Sequence, residues 1–447
     1  MKIIPSKLMS LFHGGGLKAR ALRGSAWTTV GFGTSQVIRL LSNLLLTRLL
    51  FPEAFGLMAI IQVFMQGLAM FSDVGIGPSI IQNRRGDDPA FLNTAWTLQV
   101  IRGFGLFAFT CLISVPVAYF YHEPSLMTLM PVAGLSAVIA GFNPTKLITA
   151  NRKLFLGRIT VIDIAAQIIS VATLIVLAWS LNSVWALVLG GLVGGIAKLF
   201  FVHKFISGIK NKFCWDSDSL RSMVHFGKWI FLSSILGFFV QQGDKLVLAT
   251  FMSTAELGIY SIAFFLASAP LALNQKLNHL IFFPIYSELK DLSSDQLRPK
   301  VIKARIAVCG LLLPPLIVFI LFGNFIVTHL YDARYWQAGW MMQILSVGYA
   351  ISVGTNIGPF YLAQGNSKLF LIIVLVKAIL IGLSMFLGGY FYGSTGVIWG
   401  VAISNAVFYF FSAALYRYFD LWLWRLDAIV ISIIGSAAGL AYWLSPL

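Results

Sequence analysis

Acidic residues are scarce in this chain, and charge of either sign is uncommon. Its 447 residues include 16 Asp and Glu against 32 Lys and Arg, and charged residues make up only 11% of the sequence. Hydrophobic residues account for 58%, a proportion that excludes an ordinary soluble domain of this length. The composition therefore predicts a membrane protein that crosses the bilayer several times.

Motifs for covalent, metal or nucleotide chemistry are missing as well. The three cysteines, Cys111, Cys214 and Cys309, form no CxxC pair, and no histidine cluster accompanies them. Neither a disulfide framework nor a zinc site is indicated. No P-loop (GxxxxGKS or GxxxxGKT), Ser/His/Asp set or pair of catalytic carboxylates stands out. We therefore expect no enzymatic activity, no cofactor and no bound metal.

Long apolar runs make up most of the sequence. Windows of about 20 residues, the length that crosses the hydrocarbon core, predict twelve spans and a further one near 428–445. The six spans of the first half are 26–49, 54–81, 92–120, 126–149, 155–180 and 183–203. The six of the second half are 224–251, 256–286, 302–330, 337–363, 368–391 and 395–417. Glycine and proline scattered through these runs suit packed α-helices better than the alternating strands of a β-barrel.

The predicted organisation follows from these spans. It comprises a cytoplasmic N-terminal segment (1–25), a first six-helix bundle (26–203), a basic cytoplasmic linker (204–222), a second six-helix bundle (223–418) and an additional C-terminal transmembrane segment (419–447). The N-terminal segment lacks the continuous apolar region and cleavage site of a signal peptide, so we expect it to be retained. The sequence leaves the topology of the last segment open.

Orientation follows from where the positive charges lie. Lys and Arg concentrate in alternate loops, and short cytoplasmic loops carry such an excess, so the N-terminus is predicted to be cytoplasmic. The net charge of +16 could suggest nucleic acid as a partner. The distribution of the charge in short loops between apolar runs argues against nucleic acid and for the membrane.

Two internal repeats, a strong short match and a weaker echo, relate the halves of the chain. Residues 141–156 match 356–371 at seven positions with a constant shift of 215. A second echo, with a shift of 202, pairs Trp27 with Trp229 and Gly56 with Gly258. Because each repeat has an even number of spans, six, both halves begin on the same side of the membrane. The predicted fold is thus all-α, a polytopic membrane protein of 12–13 transmembrane helices in two parallel six-helix repeats around a central cavity.

Several cations fall inside predicted spans, where a charge is costly unless it faces a polar cavity or a partner. Arg39, Arg102, Lys276 and Lys377 lie deep in their spans and are the candidate substrate-binding residues of a cationic cavity. A guanidinium suits phosphate in particular. The alternative for Arg39 is a structural ion pair with a carboxylate on a neighbouring helix, such as Asp73 or Asp163.

Three aspartates inside spans are candidate ion-coupling residues, namely Asp73, Asp163 and Asp244. Each also has a plausible structural partner, and the sequence does not rank them. Asp244 is followed directly by Lys245, and adjacent residues of a helix point about 100° apart, so the two are expected to contact different groups. A lysine near a span end, such as Lys198, can instead extend to the interface.

Three motifs carry a family resemblance. They are TRLLFPEAFGLMAI (47–60), FSDVGIGPSIIQNRR (71–85) and LNTAWTLQVIRG (92–103). The chain resembles polysaccharide transporters, the Wzx-type flippases of the multidrug/oligosaccharidyl-lipid/polysaccharide exporter superfamily, and within them the colanic acid and exopolysaccharide exporters. The resemblance extends over essentially the whole chain. The exporters it most resembles often have fourteen helices, one more than predicted here.

The resemblance implies residence in the bacterial cytoplasmic membrane. It implies movement of undecaprenyl-pyrophosphate-linked oligosaccharide repeat units from the inner to the outer leaflet, beside polysaccharide polymerase and assembly proteins. Arg39 and Arg102 would then bind the pyrophosphate, with Lys276 and Lys377 as supporting charge. The alternatives are a cation-coupled drug extruder, a lipid II flippase and a non-transporting scaffold; a drug extruder would be expected to place acidic residues in its cavity.

Overall fold

The computed structural model describes residues 17–73, 75–277, 294–355, 367–420 and 422–444. These residues form helices and connecting turns, with no strand among them, which confirms the predicted all-α class. The chain forms two compact units, one made of Met1–Leu50 and Ile61–Ile235, the other of Phe51–Ile60 and Leu236–Leu447. The predicted six-helix bundles, with their boundaries at 203 and 223, stay a prediction.

The first unit contains eight helices or parts of helices before Ser217. They are α1 (Leu17–Leu49), the greater part of α2 (Pro52–Phe71), α3 (Ile76–Gln82), α4 (Pro89–Phe120), α5 (Leu126–Gly141), α6 (Lys146–Arg152), α7 (Leu156–Leu181) and α8 (Trp185–Phe205). Helix α9 (Ser217–Phe251) begins in this unit and ends in the second.

The second unit contains the remaining helices. They are α10 (Thr254–Leu277), α11 (Ser294–Leu330), a 3₁₀ turn (Ala333–Tyr335), α12 (Ala338–Thr355), α13 (Ser367–Tyr418) and α14 (Trp424–Leu444). Helix α13 is broken at Tyr392 and Gly393, whose backbone is not helical, so it consists of two helices as the separate spans 368–391 and 395–417 predicted. Residues 278–293 and 356–366 lie outside the described residues, and the second range holds the first eleven residues of the repeat copy 356–371.

Eight of the described helices are long and apolar enough to cross a membrane, or nine if α5 and α6 form one bent span. The chain is therefore a multi-pass membrane protein. Helices α1, α9 and α12 correspond to further predicted spans. Over their described residues they are more polar or shorter than the helices counted above.

Two predicted spans are interrupted. The span predicted at 54–81 ends at Phe71 and resumes at Ile76, because Gly75 has a φ of +66°, a conformation that glycine adopts without steric cost. The span predicted at 126–149 bends by 62° between α5 and α6. Pro144 lies at that bend, and proline disfavours helical backbone in the residue before it.

The predicted linker is ordered and packs on the first unit. Asn211 accepts a hydrogen bond from the Thr145 backbone N–H at 3.0 Å and donates to the Thr145 hydroxyl at 2.8 Å. The Thr97 hydroxyl accepts from the Cys214 N–H at 3.0 Å. The Ser219 hydroxyl and the Arg85 guanidinium hold the pKa of Asp216 below its ordinary value. The segment between α8 and α9 is thus fixed by polar side chains.

A buried ion pair joins three helices of the second unit. Arg305 of α11 donates to Asp427 of α14, and their side chains are only 4% and 0% exposed. The Tyr409 hydroxyl of α13 donates to the other carboxylate oxygen at 3.2 Å. Val301, Tyr416 and Leu423 form an apolar cluster between the same helices. Helix α14, predicted as the thirteenth span, is therefore an integral part of this unit.

Candidate functional site

A cavity of about 450 Å³ opens in the first unit where α2 ends. It lies between α2, α4 and α5, and glycine, alanine and other small or apolar residues make up most of its wall. Its polar lining consists of Gln66, Asp73, Gln99, Arg102 and Ser136. One cation and one carboxylate thus line a pocket inside a membrane unit.

Arg102 is fixed in this cavity by the C-terminal turn of α2. Its Nε donates to the Ser72 hydroxyl at 2.9 Å, and its Nη2 donates to the Ala69 carbonyl oxygen. A helix C-terminus carries partial negative charge and stabilises a cation placed there. Neither bond uses Nη1. The structural role of Arg102 is to cap α2, and the same arrangement presents a held guanidinium to the cavity.

Asp73 lies beside Arg102 at the break between α2 and α3. One of its carboxylate oxygens accepts from the Gly75 backbone N–H at 2.9 Å, which stabilises the turn. The sequence assigned Arg102 and Asp73 to different roles, substrate binding and ion coupling. The structure brings both side chains to one cavity.

Arg39 lies elsewhere in the first unit. Its side chain is exposed on α1, with Nη1 3.4 Å from the Gln36 side-chain oxygen. Helix α1 is held on α7 by Ser35 and Gln167, whose side chains hydrogen-bond at 2.7 Å. Arg39 does not line the cavity that holds Arg102.

The carboxylates considered as partners for Arg39 have other contacts. Asp163 of α7 forms an ion pair with Lys198 of α8 at 2.7 Å, both side chains being partly exposed. Lys198 was expected to extend to the interface, but the structure gives it this partner instead. Asp163 is thus a neutralised carboxylate on the surface of the unit.

The two predicted lysines belong to the second unit. Lys276 is exposed in the last turn of α10. Lys377 of α13 places its Nζ 5.4 Å from the centroid of the Phe408 ring, a cation–π contact. Since Arg39 and Arg102 belong to the first unit, a single cationic cavity formed by all four residues stays a prediction.

Asp244 is the buried carboxylate of the second unit that the sequence singled out. The hydroxyl of Tyr260, a fully buried residue, donates to it at 2.7 Å. Lys245 lies 4.7 Å from the centroid of Phe264, one turn further along α10. The two adjacent charges therefore contact different groups, as expected, but on one neighbouring helix. Tyr260 was missed because a tyrosine inside an apolar span has no distinctive sequence signal.

Metal ligands do not cluster in the part of the chain that the structure describes. No group of three or more His, Cys, Asp or Glu residues there could hold a metal ion. The described residues offer cations, amides and the buried carboxylates of Asp244 and Asp427 as polar groups.

Comparison with known proteins relates the whole chain to cell-surface polysaccharide synthesis. The family model described as "Polysaccharide biosynthesis protein" matches residues 45–339. The lipopolysaccharide biosynthesis protein WzxC of Escherichia coli K12 is 24% identical over 91% of this chain and 85% of its own length. The teichuronic acid biosynthesis protein TuaB of Bacillus subtilis 168 is 20% identical over 75% of this chain and 69% of its own.

Solved structures show the same fold at lower identity. The lipid II flippase MurJ in an inward closed conformation aligns with a TM-score of 0.67 and 12% identity, over 93% of this chain and 98% of that one. An inward-facing multidrug resistance transporter of the MATE family aligns with a TM-score of 0.66 and 13% identity, over 90% and 96%. The chain therefore shares the fold of these transporters.

Proposed function

Because the chain belongs to the polysaccharide biosynthesis protein family, we propose that it is a flippase for undecaprenyl-pyrophosphate-linked oligosaccharide repeat units. It moves them from the inner to the outer leaflet of the bacterial cytoplasmic membrane by alternating access, with its N-terminus in the cytoplasm. The observation that carries the proposal is the Arg102 guanidinium held in a 450 Å³ cavity of a membrane unit.

The physical problem is the pyrophosphate. Its negative charges cannot cross about 30 Å of hydrocarbon unaided, because no group there replaces their hydration. A guanidinium offers planar, directed N–H donors that match phosphate oxygens, and in a cavity screened from bulk water their attraction is stronger than at a surface. The polyprenyl tail remains in lipid during the movement.

Each predicted residue has a role in this proposal. Arg102 and Arg39 bind the pyrophosphate, and Lys276 and Lys377 provide supporting positive charge. The half-buried Arg102 is the strongest of the four, because its contacts with α2 fix its orientation.

Ion coupling is assigned to Asp244. Asp163 is neutralised by Lys198, and Asp73 shares its cavity with Arg102. Asp244 is buried, and the hydrogen bond it accepts comes from a neutral hydroxyl. A buried carboxylate in that environment can bind a cation as the transport cycle proceeds.

The names of the relatives leave the glycan open. They refer to lipopolysaccharide and teichuronic acid, two different products. We propose a repeat unit for exopolysaccharide, capsule or O-antigen, made and extended by polymerase and assembly proteins in the same membrane.

The test is the leaflet distribution of lipid-linked oligosaccharide in a deletion strain. Wild type should relieve its accumulation on the cytoplasmic leaflet, and Arg102→Ala or Arg39→Ala, expressed at the same level, should not. Arg84→Ala, which removes an exposed cation of the α3–α4 loop, is the control and should complement fully. Full export by Arg102→Ala would remove the arginine from the mechanism.

Two other outcomes would replace the proposal. Efflux of cationic dyes from cells with an unchanged pool of lipid-linked oligosaccharide would indicate a drug extruder, for which buried Asp244 could bind the cation. A requirement for the gene in peptidoglycan synthesis would indicate a lipid II flippase.

A further inference from the structure

The first unit contains a larger cavity, about 960 Å³, apart from the one that holds Arg102. It lies between the early turns of α1, the N-terminus of α7 and the last turns of α8. Trp27, Phe155 and Phe205 line it and are 47%, 54% and 53% exposed. Such a volume is near the upper end of the roughly 300–1,000 Å³ of small-molecule sites.

Three cations line the same cavity, Arg23, Arg158 and Lys204. A neighbouring cavity of about 450 Å³ shares Phe155 and Arg158 with it and adds Lys153. None of the described residues that line either cavity is acidic. We refer to Arg23, Trp27, Phe155, Arg158 and Lys204 as the basic-aromatic cleft.

Local backbone geometry forms this cleft. Leu154 has a φ of +60° and turns the chain sharply between α6 and α7, which places Phe155 and Arg158 in the wall that the two cavities share. The first turn of α7 has no side-chain cap, so its N–H groups add partial positive charge at the same place. Lys204 lies 5.6 Å and 5.5 Å from the ring centroids of Phe200 and Phe205.

An apolar groove ending in several cations fits an amphiphile with an anionic head. In a membrane, exposed Trp and Phe side chains are covered by lipid chains, and basic residues at the ends of apolar helices meet the headgroups. The positive charges lie in segments predicted to be cytoplasmic, and the acidic lipids of that leaflet attract basic residues by about 1 kcal/mol each. A soluble anion would leave the exposed aromatic wall uncovered, whereas a lipid covers it with an acyl chain.

We propose that the basic-aromatic cleft binds an acidic phospholipid of the cytoplasmic leaflet. The headgroup phosphate lies among Arg23, Arg158 and Lys204, and an acyl chain lies along Trp27, Phe155 and Phe205. The site is separate from the cavity of Arg102. It depends on the membrane location of the chain and on its predicted orientation, and it stands whether or not the chain is a flippase.

The test is retention of lipid by the purified full chain in detergent micelles, measured by native mass spectrometry during titration with phosphatidylglycerol or phosphatidylcholine. Wild type should retain phosphatidylglycerol selectively. Arg158→Ala with Lys204→Ala should weaken its retention about 10- to 30-fold, as expected for the loss of two interfacial cations.

Two further double variants test whether the lipid binds to this cleft or is attracted by positive charge anywhere on the protein. Lys212→Ala with Arg221→Ala removes the same charge from exposed positions of the first unit and should change retention less than twofold. Arg158→Lys with Lys204→Arg keeps the charge and should retain the lipid, which shows that the cleft still folds. Equal losses in the two alanine pairs, or equal retention of both lipids by wild type, would overturn the proposal.

Polyprenyl diphosphate is the remaining arm of the experiment. If it displaces phosphatidylglycerol from wild type at equimolar concentration and fails to bind the Arg158→Ala, Lys204→Ala pair, the cleft is a substrate site and the phospholipid assignment is wrong. Selective retention of phosphatidylglycerol in its presence supports the assignment.

Discussion

Gly56 and Gly258 lie against each other where the first turns of α2 and α10 cross in the second unit. A Cβ on Gly56 would overlap the carbonyl oxygen of Thr254, and a Cβ on Gly258 would overlap that of Pro52. Pro52 and Thr254 differ by the same 202 residues as the two glycines. The contact is therefore reciprocal between positions that the sequence echo relates, and it requires two residues without side chains.

We expect Gly56→Ala and Gly258→Ala each to destabilise the protein, because the helices must separate to admit a methyl group. Overpacking of this kind costs about 1–3 kcal/mol or more. Thermal unfolding in detergent should show a lower Tm for both variants. Gly243→Ala, at a helical glycine with open space around it, is the matched control and should leave the Tm unchanged or slightly higher. An unchanged Tm in Gly258→Ala would contradict the close crossing.

The ion pair of Arg305 and Asp427 predicts a second stability effect. Removing one partner leaves a buried charge uncompensated, so Asp427→Ala should cost about 3–5 kcal/mol. Replacing both by apolar residues, as in Arg305→Met with Asp427→Leu, should recover much of the loss. Unfolding of the single and double variants by denaturant measures both values.

The exposed ion pair of Arg85 and Asp88 is the control for that experiment. Its partners are 45% and 34% exposed, and Arg85→Ala, which leaves Asp88 as the N-cap of α4, should cost less than about 1 kcal/mol. If Asp427→Ala costs no more than Arg85→Ala, the buried pair does not hold α14 in place.

Hydropathy predicted most of the helices because a long apolar run in lipid satisfies its own backbone hydrogen bonds by forming a helix. It did not predict the break at Gly75, since its window averages over a single turn. It also missed the pair of Arg305 and Asp427. Arg305 falls inside the predicted span 302–330, so its position was a signal, but its partner lies 122 residues away and only packing shows the pair.

The order of the segment between α8 and α9 gives a third prediction. Asn211 links it to Thr145, and Cys214 is held by Thr97. We expect Asn211→Ala to free this segment and to raise the rate at which a maleimide modifies Cys214. Lys212→Ala changes the neighbouring residue without removing these side-chain bonds and should leave the rate unchanged. Equal rates in Asn211→Ala and wild type would show that Asn211 does not fix the segment.

The geometry of Arg102 predicts the effect of a substitution that keeps its charge. A lysine ammonium is a single point charge and cannot reach both Ser72 and the Ala69 carbonyl while presenting further donors to the cavity. Arg102→Lys should therefore lower the export rate about tenfold, between wild type and Arg102→Ala. Ser72→Ala, which removes one orienting contact, should give a smaller loss. Wild-type export by Arg102→Lys would show that charge alone suffices.

The site was less predictable than the fold, because depth in a span does not say which way a side chain points. Arg102 lines a cavity together with Asp73 and three other polar side chains. Arg39 has similar predicted depth yet an exposed side chain on α1. The aspartates are distinguished by their surroundings in the structure. Asp163 is paired with Lys198, whereas Asp244 is buried.

The last prediction concerns Asp244 and the coupling of transport to an ion gradient. Asp244→Asn keeps an oxygen that can accept from Tyr260 but cannot carry charge, so the fold should persist while the response to an ion gradient disappears. Export in membrane vesicles, measured with and without imposed proton and sodium gradients, should accelerate with one gradient in wild type and with neither in Asp244→Asn. Asp163→Asn should keep the gradient response, because Lys198 already neutralises that carboxylate. If Asp244→Asn still responds, or if wild type ignores both gradients, Asp244 is a structural acceptor for Tyr260, and its burial reflects packing of α9 on α10.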